Sequence, residues 1–202
     1  NRSHEFFRLD LKNLTFDREI FFLSFKIGLP SGIQQMLVAT GAMALTRIVN
    51  SFGTDTIAAF TAAGRVDSFA SMPAMNLSAA LSAFVGQNLG AEKPERVKKG
   101  YLAALFISFL FSLATTAVVF LFGPALIGLF NSDPGVIAIG TQYLKIVGVF
   151  YIIFSTMFVT NGVLRGAGRT IIPMFSTVLS LWLIRVPVSS FLASRIGTDG
   201  IW

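Results

Sequence analysis

Five stretches of this chain run for 15 to 33 residues without a charged side chain: Ile27–Thr46, Ser68–Ala91, Gly100–Ser132, Ile146–Leu164 and Thr170–Ile184. An apolar run of about 20 residues, wound as a helix, matches the hydrocarbon thickness of a bilayer. Such runs are too long for barrel strands and lack their strict alternation, so each spanning piece must be helical. The apolar pattern of the second stretch extends back to Ile57 across Arg65 and Asp67, and the fifth continues past Arg185 to Ser194. These runs predict an all-α, polytopic transmembrane helix bundle of about five full spans. The helices are expected near 24–50, 57–89, 98–122, 134–165 and 170–194. Ile201-Trp202, after the turn-forming Gly197-Thr198-Asp199-Gly200, reads as the start of a sixth span.

Composition removes the competing classes. Charged residues make up 13% of the chain, against about 25% in an ordinary soluble domain. The mean hydropathy of +0.70 points the same way. Phe supplies 21 of the 26 aromatics, which suits a lipid-facing surface that needs bulk without a polar tip. The absence of Cys excludes thiol catalysis, Cys-ligated zinc and disulfides. Residues 1–20 are charged and amphipathic, unlike the apolar core of a secretory signal.

The connectors carry helix punctuation. Pro94 suits the first turn of a helix, and Asp133-Pro134 offers an N-cap followed by a proline at the first helical position. Residues 123–145 leave room for an amphipathic stretch at the interface before the fourth crossing. The three Gly-xxx-Gly pairs, Gly28/Gly32, Gly86/Gly90 and Gly162/Gly166, are close to what 18 glycines give by chance. They read as close helix packing and helix-end flexibility rather than dimer motifs.

The net charge of +6 points to topology rather than to nucleic acid, because the basic residues are spread over short connectors without aromatic interleaving. Eleven Lys and Arg fall on one side: Arg2, Arg8, Lys12, Arg18, Lys26, Lys93, Arg96, Lys98, Lys99, Arg165 and Arg169. Only Arg47 and Arg195 fall on the other. That asymmetry predicts a cytoplasmic N-terminus, in a plasma (inner) membrane.

Polar groups within the spans are the candidate functional residues, because each is costly in lipid. Arg65 and Asp67 lie roughly 12 and 15 Å beyond Ile57 along a helix. Two residues apart means about 200° of rotation, so they cannot easily pair with each other. Asp67 reads either as a proton, cation or substrate site or as one half of an interhelical ion pair. Gln34 and Gln35 follow Pro30 in the first span, where their amides can bind a ligand or a neighbouring helix. Asn76 follows Pro73 in the second span, and Asn161 stands one turn before Arg165 at the end of the fourth. Pro30, Pro73 and Pro173 are the expected helix kinks. Lys145 and Arg185 read as snorkelling or paired cations, and His4 stands alone in the amphipathic leader. No catalytic constellation, metal cluster or phosphate-cradling loop is present in the sequence, which argues against an enzyme and against a metal or other cofactor.

Three segments resemble multidrug and toxic compound extrusion (MATE) transporters. Ile27-Gly28-Leu29-Pro30-Ser31-Gly32-Ile33-Gln34-Gln35 is similar to the start of the family's seventh helix. Ala58–Phe69, running on to Phe84-Val85-Gly86-Gln87-Asn88-Leu89-Gly90-Ala91, resembles the eighth helix and its cytoplasmic loop. Gly162-Val163-Leu164-Arg165-Gly166-Ala167-Gly168-Arg169-Thr170 resembles the junction between the tenth and eleventh helices. The likeness covers about residues 18–202.

The resemblance implies the C-terminal lobe (21–202) of a twelve-helix, two-lobe antiporter, with 1–20 as the cytoplasmic linker between lobes. It implies a missing N-terminal lobe as partner, an absent remainder of the twelfth helix, and export of small cationic, amphipathic drugs in exchange for H+ or Na+. The sodium-coupled branch carries a Glu on its seventh helix and an Asp on its tenth; the matching positions here hold Val38 and Phe154. The proton-coupled branch uses an Asp on a first helix that lies outside this chain. Asp67 is then the one acid near mid-membrane. Two other readings are a lipid-linked oligosaccharide flippase of the related superfamily, which would need more cavity cations, and a structural or assembly subunit, which would need no polar groups at mid-depth.

Overall fold

The computed structural model describes residues 16–202, and all of its regular structure is helical. Seven α-helices carry the chain: α1 (Arg18–Asn50), α2 (Thr54–Gly90), α3 (Pro94–Gly128), α4 (Pro134–Gly148), α5 (Tyr151–Gly166), α6 (Ile171–Thr177) and α7 (Val186–Ile196). A π-helical segment, Val178–Arg185, joins α6 to α7 without a break, and a 3-10 turn, Gly197–Gly200, follows. The leader with His4 lies outside the described residues, while Arg18–Ile20 already belongs to α1.

The helix starts follow local chemistry. Asp17 caps α1, its carboxylate accepting from the Glu19 and Ile20 amides at 2.8 and 3.1 Å. Asp133 caps α4 in the same way through Gly135 and Val136 at 2.7 and 3.2 Å, with Pro134 at the first helical position. Gly53, with φ of 95°, makes the turn between α1 and α2 that a side chain would strain.

α2 is the central column, packed against α3, α4 and α5. Its buried face is small: Ala59, Ala62, Ala63 and Val66 meet Val119, Ile127, Val136, Tyr143, Leu144, Val147 and Tyr151. Lower down, Leu81 and Val85 meet Ala104 and Val159. Small residues let helices approach closely where lipid gives no hydrophobic drive for association. Gly162 and Gly166 of α5 press directly on the α2 backbone at Ser78 and Ser82, whereas Gly28 and Gly32 have nothing within 4 Å. The large apolar side chains point outward, Phe106, Phe109, Phe111, Phe120 and Phe122 of α3 among them. This is the inverse of a soluble core.

α1 stands with α6, the π segment and α7. Gln34 donates to the Pro173 carbonyl at 3.3 Å and to the Thr177 hydroxyl at 3.0 Å. The Trp182 indole donates to the Leu37 carbonyl at 3.1 Å, and Leu181 fills the space over Gly41.

Three pieces are long and apolar enough to cross a membrane: α2, α3 and the continuous Ile171–Gly200 rod. The α4–α5 pair is a fourth when taken as one bent crossing. α1, 33 residues long, is not among them. The stretch expected as one helix over 134–165 is two helices bent by 55°. No proline stands there; Gly148-Val149-Phe150 makes the turn. At the bend α3 supplies side-chain donors: Thr116 gives its hydroxyl to the Gly148 carbonyl at the end of α4 at 2.9 Å, and Ser112 adds a longer 3.4 Å bond to the Tyr151 carbonyl at the start of α5. α1, α2 and α6 meanwhile run as helices through Pro30, Pro73 and Pro173. Ile201 and Trp202 pack back on the bundle, Ile201 in contact with the cluster around Val49 and Ala193.

Candidate functional site

Asp67 sits near the middle of α2, half-buried, on the side facing α4 and α5. Two phenols converge on it. Tyr143 from α4 donates its hydroxyl to Oδ2, and Tyr151 from α5 donates to Oδ1 at 2.5 Å. Both tyrosines are buried, at 5% and 7% exposure. Hydrogen bonds to an ionised acceptor are the strong ones, and here each carboxylate oxygen has its own donor. Arg185, at the end of the π segment, adds an attractive charge that acts on the carboxylate.

An aromatic wall backs the site. Phe60 meets the Tyr143 ring edge-on at 5.9 Å, and Trp202 lies 4.8 Å from the same ring, nearly perpendicular to it. Trp202 and Phe60 stack at 5.7 Å. These rings pack around Tyr143 on one flank.

The other expected site residues lie elsewhere. Arg65 points away from Asp67 and is exposed; its guanidinium lies 5.9 Å over the Phe130 ring, in an open cleft lined by Ala58, Thr61, Ala62 and Asn131. Gln34 is engaged with Pro173 and Thr177, while Gln35 and Asn76 are exposed. Asn161 is half-buried, and its carbonyl receives a long 3.4 Å bond from Arg165, which also reaches the Ser78 hydroxyl at 3.5 Å. Lys145 is exposed and Arg185 is half-buried. Tyr143 and Tyr151 were not among the expected residues. The available signal was their rarity, since the chain has three tyrosines against 21 phenylalanines, and a phenol within a span needs a partner.

Among the described residues no group of three or more His, Cys, Asp or Glu side chains is placed to hold a metal ion. The arrangement is a single carboxylate, doubly hydrogen-bonded, in the field of one cation. It can hold or release one proton, or attract a positive charge.

Comparisons with known proteins agree with this frame. Probable multidrug resistance protein YpnP of Bacillus subtilis (strain 168) is 35% identical over 179 residues, which is 89% of this chain and 40% of that protein. Probable multidrug resistance protein NorM of Thermotoga maritima is 31% identical over 179 residues, 88% of this chain and 39% of the relative. The chain thus spans about two-fifths of the length of these relatives. Among solved structures, a MATE crystal structure in the bent conformation superposes with a TM-score of 0.87 at 24% identity, covering 95% of this chain and 43% of that one. The MatE family model matches residues 30–191, including Asp67 and both of its tyrosines, and the chain therefore belongs to the MatE family.

Proposed function

We propose that this chain is the C-terminal lobe, residues 21–202, of a two-lobe multidrug efflux transporter in the plasma membrane, with the 1–20 linker on the cytoplasmic side. The transporter exchanges H+ or Na+ for small cationic, amphipathic compounds by rocking of its lobes around a central cavity. Family membership and the names of the relatives at 35% and 31% identity support the substrate class. The eleven-to-two distribution of Lys and Arg supports the orientation.

The observation that carries the role of this lobe is the pairing of Asp67 with Tyr143 and Tyr151. Val38 and Phe154 stand where the sodium-coupled pattern has carboxylates, which leaves Asp67 as the acid well inside a helix of the bundle. A carboxylate at that depth is expensive, and two phenols with the charge of Arg185 offset part of that cost. Its task in this reading is to attract the cationic substrate, or to carry a proton in exchange for it. Arg65, Gln35, Asn76 and Asn161 are secondary candidates for contacts with the substrate.

Asp67→Asn in the complete transporter tests the reading. It keeps the shape and removes the charge, so drug resistance should fall while expression holds. Normal resistance together with a lowered detergent melting temperature would mark Asp67 as a structural partner of Arg185 and refute the transport role.

A further inference from the structure

Tyr143 and Tyr151 are eight residues apart in sequence. On a straight helix that is about 12 Å of rise. Helical side chains also lean the same way, toward the N-terminus. Two such rings on a straight helix cannot meet at one carboxylate. They meet here because α4 and α5 are bent by 55° between them. Each tyrosine belongs to a different half of the broken helix, and each takes a different oxygen of Asp67. The break itself is provided for, since Thr116 and Ser112 of α3 occupy the carbonyls of Gly148 and Tyr151. A side-chain donor at the Gly148 carbonyl lowers the cost of the break.

We propose that Asp67 staples the two halves of the α4–α5 crossing in the bent form, and that protonation of Asp67 releases the staple so that the crossing straightens. Tyr143 and Tyr151 are positioning residues that convert the charge at Asp67 into the angle of the bend. A protonated carboxyl keeps one good acceptor oxygen and becomes a donor at the other, so it no longer draws two hydroxyls with charge-assisted bonds. The charged and titratable groups that act on Asp67 are Tyr143 of α4, Tyr151 of α5 and Arg185 of the π segment. Arg65, on its own helix, is turned to Phe130 instead. Loss of the negative charge also removes the attraction that holds Arg185 toward the site. The proposal rests on reading Asp67 as the exchangeable carboxylate, and adds what its exchange does to the fold.

The test uses the complete transporter with no other cysteines, carrying spin labels at Ala138→Cys on α4 and Ala167→Cys beyond α5. Both positions are exposed, and this chain has no cysteine of its own. With a rise of about 1.5 Å per residue on either arm, full straightening lengthens the distance between them by about 5 Å. In sodium-free medium without drug, acidification should lengthen the distance, and Asp67→Asn should show the long distance at every pH. A distance that ignores pH, a shortening on acidification, or a pH response that survives in Asp67→Asn overturns the proposal. Should Asp67→Asn fail to fold, Tyr143→Phe and Tyr151→Phe decide: both must favour the long distance in alkaline medium, and an unaltered pH response in both overturns it. Resistance measured in parallel is a separate readout, so a hinge that does not move is distinguishable from a carboxylate that does not matter for transport.

Discussion

Gly162 of α5 lies so close to Ser78 of α2 that a Cβ on the glycine would come within 2.5 Å of the Ser78 carbonyl oxygen. One turn on, Gly166 stands in the same relation to Ser82, at 2.4 Å. The obstacles are backbone, which cannot swing aside as a side chain can. This seam sets the spacing of the two helices that carry Asp67 and Tyr151.

Gly162→Ala and Gly166→Ala should each destabilise the bundle by about 1–3 kcal/mol, because α5 must move off α2 to admit the methyl group. Gly28→Ala is the control, with nothing within 4 Å of the added atom. There the better helix propensity of Ala should be neutral or stabilising by about 0.5–1 kcal/mol. Thermal unfolding in detergent separates the cases. A Gly162→Ala protein that melts like the wild type would show that the seam is not tight.

Tyr151→Phe deletes a hydroxyl and leaves one oxygen of Asp67 without its donor. Hydrogen bonds to charged groups contribute about 1.5–3 kcal/mol, so the melting temperature should fall. The loss should be smaller in the Asp67→Asn background than in the wild type, as expected of partners in one network. Equal losses in the two backgrounds would mean that Tyr151 acts through packing alone.

Gln34→Met keeps the volume and removes the bonds to Pro173 and Thr177. Interhelical hydrogen bonds inside membranes average about 0.6 kcal/mol. A small drop in stability with drug export preserved is expected, since this amide links α1 to α6. Loss of export without loss of stability would assign Gln34 to the substrate instead.

Lys98→Cys should resist a membrane-impermeant thiol reagent applied to intact cells and react once the membrane is opened. The basis is the eleven-to-two charge asymmetry, from which a cytoplasmic loop is expected. Ready labelling from outside would invert the topology.

Most of the architecture can be read from the residues, because a charge-free run of helix length leaves a chain in lipid few alternatives. Asp133-Pro134 and Pro94 mark true helix starts, since capping and the proline φ are local effects. The break between α4 and α5 is not legible. Val149 and Phe150 are apolar and lack turn chemistry, and the donors that make the bend tolerable come from α3, 32 and 39 residues away in sequence. The site is half legible for the same reason. Asp67 stands out as a lone acid in an apolar helix, but its tyrosines are eight apart, a spacing that places them together only once the bend is known. Gln34 bonds to the neighbouring helix, a contact that only the packing of α1 on α6 reveals.

The π segment fixes the length of the chain as well as its shape. Val178–Arg185 lets one rod serve two clients, with Trp182 bonded to α1 and the charge of Arg185 felt at Asp67. Beyond it, Ser189 donates to the Ile201 carbonyl at 3.1 Å and Ala193 is buried. Removing one residue from a helix turns everything after it by about 100°. A shortened segment would wind as an ordinary α-helix, yet it would carry Ser189 and Ala193 round to the lipid. The exposed side chains of this stretch, Leu179, Ser180, Leu183 and Ile184, are therefore free to drift, while Leu181, Trp182 and the number of residues are not. Among related chains the exposed positions should accept many substitutions and the stretch almost no deletions.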